Sequence, residues 1–153
     1  MQAHIDTWQQ FTLRANTEYQ LAFYGNAILM HNQALDYARH AFTTNARSCI
    51  EHAIARVLIS NFNLADCYTA LGQISRAADC YVSAQHFLLH TGRELCLDAA
   101  AQHELEHANA HLVALWADFV KRYLDDIPYE TQVTWHYGNC ELKASAEQAA
   151  VRH

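Results

Sequence analysis

The string His103-Glu104-Leu105-Glu106-His107 holds the residue types that metal-dependent hydrolysis requires. On a helix its two histidines stand one turn apart, so both imidazoles can bind one Zn2+ while Glu104 activates the metal-bound water. His111 extends the row by another turn. His103, His107 and His111 are therefore the candidate metal ligands, with Glu130 as an alternative third donor and one position left open for water. A zinc-dependent hydrolase is one reading of the chain.

The helix around the string argues against it. Leu105, Ala108, Leu112, Leu115, Trp116, Phe119 and Tyr123 form its apolar stripe. At about 100° per residue, His103 and His107 point nearly opposite, toward solvent. Eleven histidines make a chance match easy, and no glycine-bearing third-ligand extension follows. His4, His31, His40, His52, His86, His90 and His136 are dispersed and read as surface groups that titrate near the ordinary value. Gly25, Gly72, Gly92 and Gly138 stand alone at expected turns, so no phosphate loop is present, and no Gly-x-Ser-x-Gly elbow occurs. Asp125 and Asp126 read as solvated groups at a helix end. The expectation is no catalytic residue and no cofactor.

A chain of 153 residues with one proline and four glycines is long enough for one core and poor in helix breakers. The expected class is all-α. No apolar run approaches the ~18 residues of a membrane span, and residues 1–14 lack the pattern of a secretion signal. The net charge is −6 with only two lysines, and the arginines never form a stripe, which argues against a nucleic-acid surface and disfavours an acidic membrane. Five cysteines without a Cys-x-x-Cys pair read as reduced thiols, with Cys67 and Cys80 as small packing residues in a cytoplasmic protein.

Asp6 or Thr7 caps a first helix that carries Trp8, Phe11 and Ala15 on one stripe and ends near Gln20. A second runs from Asn26 to about Thr43, entered through a turn at Gly25. The third begins near Asn45 or Ser48 and stops at Gly72. Ser75 opens a fourth that ends before Gly92, and Arg93 to Leu124 forms a closing helix. Pro128 ends the helical run. Beyond it Tyr129, Thr131, Val133, Trp135 and Tyr137 alternate with polar residues in the period of an extended segment, followed by a short helix from Glu141 to Val151. The domains expected are a helical body, 1–126, and a partly extended aromatic C-terminal tail, 127–153. That tail packs on the outer helices, fills a groove, or docks on a second copy of the chain.

Residues 64–84 carry a more specific pattern. Leu64 and Ala65, then Tyr68, Gly72 at a turn, and Ala77, Tyr81 and Ala84 fall where two packed antiparallel helices need small and aromatic residues. This resembles a tetratricopeptide repeat, with Asn61 in place of the large aromatic and Leu89 near the place of the closing proline. Ala15, Asn16, Tyr19, Tyr24, Ala27, His31 and Ala34 repeat much of the order about 50 residues earlier, against a usual period of about 34. The resemblance implies antiparallel hairpins stacked as a short α-solenoid, a divergent, short, bacterial-type member of the tetratricopeptide superfamily. It further implies a non-enzymatic scaffold or adaptor whose partner is another protein, held in a concave groove. Ile59, Phe62, Asn63, Asp66 and Thr69 would line that groove from the middle copy, and Thr12, Asn16, Tyr19 and Gln20 from the upstream one. A lysine-rich carboxylate clamp is lacking, so an apolar helix or extended segment fits better than an acidic tail. The alternatives are the zinc hydrolase and a self-associating structural protein that forms a homodimer.

Overall fold

The computed structural model describes residues 6–45, 50–95 and 97–152, with the side chains of Asn45 and Arg152 outside the description. Six α-helices follow one another: α1 (Thr7–Gln20), α2 (Tyr24–Asn45), α3 (Ile50–Ala70), α4 (Ile74–Glu94), α5 (Ala99–Tyr123) and α6 (Tyr129–Arg152). A short 3-10 turn, Leu124–Asp126, separates the last two, and among the described residues there is no strand. The chain divides into two compact units, residues 1–77 and 78–153, with the division inside α4.

In the first unit, α1 packs on α2 and α2 on α3. Asp6 caps α1 by accepting from the Gln9 amide at 3.0 Å, while the Gln9 side chain accepts from the Asp6 amide at 3.2 Å. This reciprocal pair satisfies two amides that a helix start leaves without partners. The helix ends in a reversal that the chain builds twice. The Ala22 amide donates to the Tyr19 carbonyl and the Phe23 amide to that of Glu18; fifty residues later Gly72 donates to Thr69 and Gln73 to Tyr68. Both turns place the residue after the cap in the left-handed region, with φ of 62° at Ala22 and 73° at Gly72.

The first turn corrects the expectation at Gly25. That glycine lies inside α2, and Ala22 takes the left-handed conformation. The helix before it ends for want of carbonyl partners, and the Schellman bonds supply them even though an alanine must pay the steric cost. Small residues then let the helices approach: Ala15, Ala27 and Ala34 have no exposed surface, and Ala38 almost none.

In the second unit, rings join the helices. Tyr81 on α4 meets Trp116 edge-on at 5.9 Å and Phe119 on α5 at 4.9 Å, and Trp116 stacks on Trp135 of α6 at 4.5 Å. Gln85, also buried, donates from Nε2 to the Trp135 carbonyl at 2.9 Å. A methyl on Gly138 would overlap the Gln85 amide, so glycine there is what lets α4 and α6 close on each other.

The extended conformation expected from Tyr129 to Tyr137 is overturned. Residues 129–152 form one continuous helix, and Pro128 starts it: its carbonyl accepts from Thr131 and Gln132 at 3.1 and 3.2 Å. Proline at a helix start loses no bond that the helix would have used. Trp135, Gly138 and Leu142 face inward at helical spacing, while Tyr129 and Tyr137 are largely exposed. Two further boundaries move. Gly92 lies within α4, and α5 begins at Ala99 and not at Arg93, because Asp98 accepts from the Ala101 amide at 2.8 Å and caps it. The start of α3 near Ser48 falls outside the described residues. No described helix is long and apolar enough to cross a membrane.

The doubled turn yields a paired test. Replacing Ala22 by glycine should raise unfolding free energy by about 0.5–1 kcal/mol, and Gly72→Ala should lower it by about 1 kcal/mol or more. Urea denaturation measures both, and shifts in the same direction would contradict the assignment.

Candidate functional site

Two helices of the first unit are fastened side by side at one end. Asp6, freed by its position before α1, forms an ion pair with Arg56 of α3. The same guanidinium lies 5.3 Å from the Trp8 ring centre, and Trp8 Nε1 donates to Ser60 Oγ at 2.9 Å. The offset that aligns Ala27 with Ala77 also aligns Asp6 with Arg56. Sequence reading used Trp8 only as an apolar residue and Arg56 only as a scattered cation, and no spacing in the sequence pairs them.

Further along, the outer faces of α1 and α3 carry the residues expected to meet a partner. Asn16 and Tyr19 on α1 are exposed, as are Ile59 and Asp66 on α3, whereas Phe62, Asn63 and Thr69 are half-buried. Ile59, Phe62, Asp66 and Thr69 recur at three- and four-residue steps and so share a stripe. Asn16 holds in α1 the position that Asp66 holds in α3. Tyr19 is close enough to feel Asp66: burial, and then the Asp66 carboxylate, push its phenol upward. Its ring also meets Tyr24 edge-on at 5.1 Å. Thr69 spends its hydroxyl proton on the Ala65 carbonyl at 2.8 Å.

Burial raises the Asp66 carboxyl as well, because neighbouring protein withholds water from its charged form. The adjacent Cys67 thiol is pushed up to about 11, first by burial and then by Asp66. It is fully buried and stays protonated at neutral pH, the opposite of a reactive cysteine. The face therefore offers a carboxylate acceptor beside apolar side chains and no reactive thiol.

His103, His107 and His111 lie on the exposed side of α5, away from buried Leu105, Leu112, Trp116 and Phe119. Among the described residues, no group of three or more histidine, cysteine, aspartate or glutamate side chains gathers in a way that could hold a metal ion. Glu130 is exposed in the first turn of α6.

One histidine departs from the surface reading. His31 is 1 % exposed in α2, its Nδ1 has no hydrogen-bond partner, and burial lowers its pKa to about 4. Tyr81, fifty residues later, is likewise a core position. His40, His52, His86, His90 and His136 are exposed as expected, and His4 lies outside the described residues.

Residues 6–149 match the family described as "Protein of unknown function (DUF2753)". The chain belongs to that family. No curated protein and no solved structure matches it. The family description assigns no chemistry, so the DUF2753 fold has to be read from its own residues.

The His31 environment sets an acid limit on this fold. Its folded value lies below the unfolded value of about 6.5, so the unfolded chain binds more protons between pH 6.5 and 4, and stability falls as pH drops through that window. The loss attributable to His31 should approach roughly 2–3 kcal/mol at pH 4. Urea titrations at several pH values should show a shallower acid decline for His31→Leu; an unchanged slope would remove His31 as the cause.

Proposed function

We propose that this chain is a non-enzymatic interaction module of tetratricopeptide type, which holds a segment of another protein along the face shared by α1 and α3. The observation that carries this reading is the doubled helix–turn–helix, with hydrogen bonds repeated at one fixed offset. It supports a short solenoid of stacked hairpins with an unusually long repeat. A cytoplasmic setting belongs to the same reading, since there thiols such as Cys67 and Cys80 stay reduced.

The chemistry of the face narrows the segment. Ile59 and Phe62 suit an apolar anchor, helical or extended. Asp66 pays a desolvation cost that a lysine or arginine of the partner would offset, because an opposite charge stabilises the ionised carboxyl. An acidic segment would meet repulsion there. Tyr19 and Asn16 supply further polar contacts from α1.

Affinity capture from the native cell, followed by titration with the purified captured protein, tests the assignment. Phe62→Ala and Asp66→Lys should each weaken binding by roughly tenfold while circular dichroism keeps its helical signal. Unchanged affinity in both variants would exclude this face.

A further inference from the structure

The outer side of α6 carries a thiol and an imidazole that meet. Cys140 Sγ lies 3.8 Å from His136 Nε2 across one helical turn, and both residues are exposed. Their direction follows from the packing of the second unit. Gly138 faces the Gln85 amide, and two residues along a helix amount to a rotation of about 200°, so His136 and Cys140 both point nearly the opposite way, into solvent. Among the described residues Cys67 and Cys80 are buried, which leaves Cys140 as the thiol that a solute can reach.

The separation fits a metal ion. With a Zn–S bond of about 2.3 Å and a Zn–N bond of about 2.0–2.1 Å, a tetrahedral angle places the two donor atoms about 3.6 Å apart. Closing from 3.8 Å takes a small side-chain rotation. Sulfur and imidazole nitrogen in a tetrahedral set favour Zn2+. One chain fills only half of that shell, since among the described residues no group of three or more such donors gathers. The rest of the face points to the source of the other half. Tyr129, Val133, His136 and Cys140 recur at steps of four, three and four, the spacing of a seam between paired helices. Tyr129 is 77 % exposed and Tyr137 65 %. Two tyrosines offer at most about 300–500 Å², short of the roughly 800 Å² that each partner buries in a stable interface. Apolar contact alone therefore does not hold two copies together, and the ion has to supply the remainder.

We infer that α6 carries half of a zinc site, which a second copy of the chain completes across a two-fold axis to give two cysteine and two histidine ligands. His136 binds through the Nε2 lone pair of its neutral form, and Cys140 binds as thiolate, its proton passing to solvent as the Zn–S bond forms. The site depends on α6 and not on the α1 and α3 face, so either assignment stands if the other fails.

Titration of the full-length, reduced chain with zinc chloride, and in parallel with Co2+, tests this directly. Light scattering should show the mass doubling, complete at one zinc per two chains, and Co2+ should give the thiolate-to-metal absorption and visible bands of a tetrahedral ion. Cys140→Ser and His136→Gln, both exposed changes, should each weaken metal binding by at least about tenfold and leave the chain monomeric, with the helical circular dichroism unchanged. His107→Gln, on the α5 row, should alter neither the doubling nor the Co2+ spectrum. A zinc-saturated chain that stays monomeric, a dimer that forms equally well without zinc, metal binding that Cys140→Ser or His136→Gln leaves intact, loss of the doubling in His107→Gln, or no saturable binding would each overturn the site.

Discussion

Close approach of helix backbones at buried alanines is the constraint on which the first unit rests. Ala15, Ala27, Ala34 and Ala38 leave almost no surface to solvent, and a side chain of one carbon lets neighbouring helices come nearer than leucine or isoleucine would. Close helices need tight reversals between them. That need explains why the turn after α1 holds its Schellman geometry at a residue with a Cβ, and why the turn after α3 spends a glycine on the same conformation. The larger side chains then act as fasteners: Trp8 and Arg56 tie α1 to α3 beside the Asp6 cap.

The second unit solves the same problem with rings. Trp116 and Trp135 stack across α5 and α6, Tyr81 brings in α4, and the missing side chain at Gly138 leaves room for the Gln85 amide. Toward the ends of these helices the large side chains give way to Gly92, Ser145, Ala146 and Ala149, and a cleft opens. Where rings fill the space the helices are locked together. Where small residues replace them, the helices part.

Much of this was legible in the residues, and the reasons for the rest are physical. The Asp6 cap, the stop at Gly72 and the buried stripe of α5 were readable because each depends on local chemistry: a side-chain acceptor, a left-handed glycine, a period of apolar residues. The offset linking Ala27 to Ala77 was readable because packing repeats. Residues 129–137 misled because Tyr129, Thr131, Val133, Trp135 and Tyr137 mimic a strand period, while the true inward stripe passes through Gly138, a residue without an apolar side chain to count. Gly25 misled for the converse reason: glycine marks where a left-handed turn is cheap, yet the hydrogen bonds of α1 placed that turn at Ala22. His31 looked like one surface histidine among many, and only its register with Tyr81 marked it as core. Of the candidate site, the α3 stripe was legible from spacing, but the fastening of α1 to α3 was not, since ion pairs across long separations leave no periodic trace.

The most direct measurement is the stability of Ala27→Leu against an exposed control on α3, Ala70→Leu, by urea denaturation. If α2 truly lies at alanine distance from its neighbours, the buried change overpacks the contact and lowers stability by about 1–3 kcal/mol, while the control stays within about 0.5 kcal/mol. Equal, small effects at both positions would mean that the helices are not packed at alanine distance, and the repeat-based account would fail with them.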